Sequence, residues 1–183
     1  MFHFRFLGGL FACVLTLSPV AAHAAPLDAS AATARVLDLT NAERQKAGLG
    51  PLALNPQLSQ AALQYSQVLS KDNCFGHTCG PVPDMIQRAL QAGYGNWTVV
   101  GENVAAGYGS PEAVVAGWMN SPGHRVNILS PNYREIGIGL VNGGKYGTYW
   151  TQEFGSRHGG DPAPAFQPAP DPEPDGVSDE DAE

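Results

Sequence analysis

Apolar residues recur at helical spacing through the first half of the chain and at strand spacing near its end. Residues 30–47 carry Val36, Leu39 and the run Glu43–Ala47 at helical intervals, and Gly48 is a ready stop. Asn55-Pro56 pairs a capping side chain with a proline for the first helical position. The helix it opens has Leu58, Ala61, Ala62, Tyr65 and Leu69 on one face. Residues 84–92 predict a short third helix stopped by Gly93. Ser110-Pro111-Glu112 opens a fourth, through Val114, Val115 and Trp118, that ends at the turn Ser121-Pro122-Gly123. A further helical turn is expected over Asn127-Ile128-Leu129.

The strand signals come later. Residues 97–100 are aromatic and β-branched. From Glu135 to Val141 the chain alternates, with Ile136, Ile138 and Leu140 on one face and Gly137 and Gly139 on the other. Glycines on one strand face allow another backbone to come close. Asn142-Gly143-Gly144 predicts a hairpin turn. The return strand, 146–154, sets Trp150, Gln152 and Phe154 against Tyr149 and Thr151. Helices followed by a small antiparallel sheet make an α+β domain.

Composition separates both ends from this pattern. Residues 1–24 hold Arg5, an apolar run and Ala22-His23-Ala24, which together read as a secretory signal peptide cleaved after Ala24. The apolar run is too short to span a bilayer, so an integral membrane protein is not expected. Leu10-Phe11-Ala12-Cys13 is a poor lipobox, the rival reading in which Cys13 carries a lipid. Residues 25–32 lead into a domain placed at 33–157. Residues 158–183 are acidic and proline-rich, with eight acidic side chains, no Lys or Arg and one aromatic, and are expected to form a disordered tail. Residues 25–160 carry nine basic and nine acidic side chains, so the net charge of −7 belongs to the tail. A neutral domain with an acidic tail lacks the basic footprint of a nucleic-acid binder.

Three stretches hold residues able to do chemistry: His77 in FGHTCG, Glu102 in GENVAAGYG and His124 in WMNSPGHRVNIL. After signal removal the remaining cysteines are Cys74 and Cys79. Two cysteines five apart in an exported chain imply a disulfide that clamps the His77 loop; the alternative is a reduced Cys74/His77/Cys79 zinc cluster. Glu102 follows a strand and is flanked by Gly101, Val104 and two alanines, so its carboxylate needs a partner. Asn96-Trp97-Thr98 matches a glycosylation sequon, of consequence only in a eukaryotic secretory route.

These stretches form one series. Asn41-x-x-Arg44 with Gly48-Leu49, then Phe75-Gly76-His77, Gly101-Glu102-Asn103, Trp118 through Arg125, and Ile136-Gly137-Ile138-Gly139 resembles the CAP superfamily of cysteine-rich secretory, antigen 5 and pathogenesis-related proteins. The likeness runs from about residue 33 to 156, and the SPGHR form resembles its bacterial branch. It implies a three-layer α-β-α sandwich around a small, mainly antiparallel sheet, and a cleft that gathers two histidines and two acidic residues. His77, Glu102 and His124 match three of the four. The fourth does not carry over: Asn120-Ser121 stands in its place, with Glu135 and Glu153 as possible substitutes. The longer His-Tyr-Thr-Gln signature of the family is also absent.

The functional expectation is a secreted or periplasmic binding module. Its cleft would be lined by His77, Glu102, Asn103, Ser121 and His124. His77 and His124 are the candidate ligands for a divalent ion such as Zn²⁺, and a lipid, another small ligand or a cell-envelope or host component is the expected partner. Two alternatives stay open. In one, Glu102 or a Ser121–His124 pair serves a hydrolase, although no G-x-S-x-G elbow is present. In the other, the polar residues only tie sheet to helices.

Overall fold

The computed structural model describes residues 25–159. The expected signal peptide, residues 1–24, and the part of the expected tail after Gly159 lie outside that range. Five helices surround one four-stranded sheet: α1 (Ala29–Lys46), β1 (Ala53–Leu54), α2 (Pro56–Lys71), α3 (Met85–Gln91), β2 (Trp97–Ala106), α4 (Pro111–Asn120), α5 (Pro122–Ile128), β3 (Glu135–Asn142) and β4 (Thr148–Arg157). The strand order is β1-β3-β4-β2. Only the β1–β3 pairing is parallel. The α+β class and the three layers agree with the sequence expectation.

Local chemistry explains most boundaries. The Asp28 carboxylate accepts the Ser30 and Ala31 amides and starts α1. Asn55 caps α2 and Ser110 caps α4, each with proline in the first turn. Asp84 does the same for α3. At Ser121-Pro122-Gly123 the expectation needs correcting. The run ends α4 as expected, but it is not a turn: α5 begins at Pro122, with Ser121 ending one helix and starting the next. Proline at the first helical position has no amide to lose, so the motif can end α4 and begin α5 at once.

The layers follow from the alternation along β3 and β4. Ile136, Ile138, Leu140, Trp150 and Phe154 pack with Val36 of α1, Val114 and Trp118 of α4 and Ile128 of α5 in the main core. The opposite face takes α2, and the two glycines let it sit on the sheet. A Cβ at Gly137 would lie 2.0 Å from the Leu58 carbonyl carbon, and one at Gly139 would lie 2.4 Å from that of Ala62. Ser66 of α2 then reaches the Thr151 hydroxyl at 2.9 Å.

Two polar residues of α1 hold the far side. Asn41 exchanges two hydrogen bonds with the Leu52 backbone, at 2.8 and 3.1 Å. The buried Arg44 guanidinium donates to the carbonyls of Gly50, Ile128 and Ser130. Burial, with help from Arg134, lowers the Arg44 pKa to about 10, so it remains charged at neutral pH. By binding the end of α5, Arg44 fixes the helix that carries His124.

Strand β2 is longer than the expected 97–100 and includes Glu102 and Asn103. Its outer edge is closed by side chains. Tyr133 donates to the Val100 carbonyl, Asn127 to that of Glu102 and Trp118 to that of Val104. These partners satisfy an edge that would otherwise invite another strand.

Substitution Gly137→Ala tests the close approach of α2. We expect a loss of about 3 kcal/mol from displaced helix packing, read from urea unfolding. A near-neutral result would show that α2 can back away from the sheet at little cost.

Candidate functional site

The site is built around the middle of β2, where successive side chains point to opposite faces. Glu102 points toward α2 and α3, and Asn103 toward α1 and α5. The loop between α2 and α3 brings His77 to the first face. It is closed by the Cys74–Cys79 disulfide, with Cα atoms 5.8 Å apart, and the Tyr65 hydroxyl binds the Gly76 carbonyl at 2.6 Å.

His77 Nδ1 is 2.8 Å from Glu102 Oε1. The carboxylate is buried, whereas the His77 side chain is 58% exposed, so a buried anion orients an open imidazole. That hydrogen bond is the main reason the His77 pKa rises above its ordinary value; burial opposes it. The bond occupies Nδ1 and leaves Nε2 facing outward.

The other Glu102 oxygen, Oε2, pairs with Arg88 of α3. Arg88 is buried, lies 3.5 Å from the centre of the Tyr65 ring, and donates to the Pro83 carbonyl at 2.8 Å and the His77 carbonyl at 3.4 Å. It therefore holds both the carboxylate that orients His77 and the loop that carries it.

Glu153 completes the group. It pairs with Glu102 across β2 and β4, is fully buried, and has neither carboxyl oxygen hydrogen-bonded. Its nearest countercharge is Arg88, 3.8 Å away. Burial and the neighbouring Glu102 raise its pKa well above the usual carboxylate range, and Arg88 only partly offsets this. Of the two glutamates, Glu153 is thus the one whose surroundings favour the protonated form.

His124 reaches the cleft from α5. Asn103 sets its position by donating to the His124 carbonyl at 3.1 Å and to Gln152 Oε1 at 3.1 Å, while accepting from Asn127 at 2.9 Å. Asn103 itself is fully buried. It positions α5 and does not form a wall of the cleft. Burial lowers the His124 pKa, and the His77 charge lowers it further, so each ring lies within the other's field.

A slot of about 290 Å³ runs along β2 beside His124. Phe75, Tyr108, Gly117, Trp118 and Ser121 line it with His124. Glu135 lies elsewhere. It binds Arg157, Tyr94 and Asn55. Of the two substitutes considered for the missing acidic residue, Glu153 adjoins Glu102 and Glu135 does not.

Sequence reasoning did not find Arg88 or its stacking on Tyr65. Alternation along β4 shows that Glu153 shares a face with Thr151, but nothing local sets the β2–β4 register that brings it opposite Glu102. Among the described residues, no group of three or more His, Cys, Asp or Glu side chains is placed to hold a metal ion.

Two outcomes are expected. Glu153→Gln mimics a protonated carboxyl, so the variant should be at least as stable as the parent at pH 7. An unfolded glutamate gives up its proton near pH 4.3, whereas the folded one keeps it, so Glu153 costs stability that grows as pH rises above that value. Urea unfolding at pH 4 and 7 checks this. A loss of several kcal/mol at pH 7 would mean that an ionised Glu153 pairs with Arg88.

In imidazole NMR titrations, His77 should lose its proton above pH 6.5 and His124 below it. Stability from the Glu102–His77 bond is full below 6.5 and fades as pH rises through the folded His77 pKa. His124 acts oppositely, and its contribution is lost as pH falls through its folded pKa. Coincident titration of both rings at 6.5 would contradict the geometry.

Comparison with known proteins places this architecture. The model of the cysteine-rich secretory protein family, CAP, matches residues 37–154. The Bacillus subtilis protein YkwD is 45% identical over 134 residues, covering 71% of this chain and 49% of that protein. An extracellular protein containing an SCP domain, from Bacillus anthracis, has a TM-score of 0.64 at 29% identity, covering 74% of this chain and 45% of that one. An outer surface protein of Borrelia burgdorferi has a TM-score of 0.66 at 21% identity, covering 72% and 97%, a likeness of fold alone. The chain spans about half the length of the two Bacillus proteins.

Proposed function

The chain belongs to the cysteine-rich secretory protein (CAP) family, and from that premise we propose a ligand-binding module that works outside the cytoplasm. The observation that carries this is the Glu102–His77 hydrogen bond, in which a buried carboxylate holds an exposed imidazole. The adjoining slot supplies apolar walls, and His124 and Ser121 supply polar groups. Concave, largely apolar sites with a few fixed polar groups suit small ligands. Export is supported by the apolar leader, by the disulfide and by similarity to proteins described as extracellular or outer-surface. Among the described residues, no helix is long and apolar enough to cross a membrane.

A binding role is favoured over catalysis by the position of the acid. The carboxylate that could orient a general base stands on His77, whereas Ser121 lies beside His124.

The histidines also suit a divalent ion held through nitrogen. A carboxylate on Nδ1 is the usual support for a ligating imidazole, leaving His77 Nε2 and the His124 ring as donors. Two ligands make an open, exchangeable site. A bound ion would supply Lewis acidity at the cleft mouth. The Arg88 charge behind Glu102 opposes a second cation nearby and weakens the site.

Calorimetry with Zn²⁺ on metal-free protein should show weak binding at pH 7.5 and weaker binding at pH 5.5, because protons compete for both rings. The raised His77 pKa starts that competition above 6.5. A His77→Ala/His124→Ala double variant should lose the binding. Equal binding by the variant would place the metal elsewhere, and unfolding on chelation would make the metal structural.

A further inference from the structure

Beyond the histidines, the cleft carries an aromatic corner that the binding reading leaves unused. Phe75 and Tyr146 are 51% and 46% exposed, and their ring centres are 6.4 Å apart with planes at 67°, so the two rings form adjacent walls. Tyr146 is backed by Tyr149, with ring centres 6.0 Å apart, and Lys145 lies over its face at 5.5 Å. Phe75 is held by the disulfide loop. Exposed aromatic surface fixed in this way suggests a contact surface.

The corner leads into the slot. Phe75 is one of the slot's walls, and the Tyr146 carbonyl oxygen lies 3.8 Å from where a Cβ on Gly107 would stand, just past Ala106. Farther in, Tyr108 lies flat against α4, because Gly117 has no side chain; a Cβ there would be 2.5 Å from the Tyr108 hydroxyl oxygen. Ser121, also on the slot lining, makes no side-chain cap bond. The slot thus has aromatic faces together with polar groups.

We infer that the ligand of this cleft is a saccharide, with one pyranose ring seated in the slot and the next stacked on the Phe75–Tyr146 corner. The inference rests on the ligand-binding reading and specifies its chemical class. A pyranose has one face of C–H groups that packs on an aromatic ring, and a rim of hydroxyls that needs both donors and acceptors. The Ser121 hydroxyl and the His124 ring, both on the slot lining, are groups of this kind. The volume of about 290 Å³ admits a single ring, near the lower end of ordinary small-molecule pockets, about 300–1,000 Å³. The equal basic and acidic counts of residues 25–160 suit an uncharged ligand better than a polyanion. An acyl chain would be served better by a closed apolar channel than by an open slot with exposed rings at its mouth.

The test is amide NMR titration of the protein with cellotriose and triacetylchitotriose, and separately with decanoate and Zn²⁺. We expect at least one sugar to shift Phe75, Ala106 and Ser121. Affinity should fall about tenfold or more in Phe75→Ala and in Tyr146→Ala. Gly117→Ala, which pushes Tyr108 into the slot without touching the corner, should weaken it similarly. Sugar binding that is unchanged in both aromatic variants would overturn the inference. So would decanoate shifting these signals while neither sugar does, although the ligand-binding reading would then stand. If no sugar, decanoate or Zn²⁺ moves any signal at the slot or the histidines, both the inference and that reading fall.

Discussion

Two glutamates facing each other across neighbouring strands cannot both be buried as anions, and Arg88 is what makes their burial tolerable. Its guanidinium pairs with Glu102, lies against the Tyr65 ring and ties down the Pro83 and His77 carbonyls. Removing it would leave an uncompensated carboxylate inside the protein, a change that commonly costs about 3–5 kcal/mol. Of the pair, Glu153 is the one whose burial beside Glu102 favours the protonated form. The cost of that arrangement lies in the core, while its effect appears at the surface as an oriented imidazole.

The same residue explains why a short loop can be accurate. The disulfide, the Tyr65–Gly76 bond and the two Arg88 bonds fix the 74–84 segment from three sides. On the other side of β2, Asn103 and Arg44 do equivalent work for α5 through backbone carbonyls. His77 and His124 are therefore held by independent supports on opposite faces of one strand. The two rings nevertheless lie within each other's field.

Much of the fold was legible because its signals are local. Asn55-Pro56 and Ser110-Pro111 mark helix starts by satisfying or removing orphan amides. The alternation of isoleucine and glycine from 136 to 139 marks a strand with a large core on one face and a helix backbone on the other. What was not legible depends on partners distant in sequence. β2 continues through Glu102 and Asn103 because β4 pairs with it and Tyr133, Asn127 and Trp118 cap its outer carbonyls; no propensity at 101–103 announces that. Two-residue β1 exists only by pairing with β3. His77, Glu102 and His124 were found through motif resemblance. Arg88 was missed, and Glu153 could not be told from Glu135 as a substitute, because only the tertiary register makes Arg88, Glu102 and Glu153 neighbours.

The capped edge also bears on how anything is recognised here. A cleft along an edge strand ordinarily offers main-chain groups to an extended peptide. In this protein, side chains already bind the outward carbonyls of Val100, Glu102 and Val104. A ligand must then be read by side chains: imidazole and hydroxyl groups together with aromatic faces. The protonation states of the two imidazoles differ by construction, since one histidine is raised by its carboxylate and the other lowered by burial and by the first. The His77 ring therefore keeps its proton to higher pH than the His124 ring does.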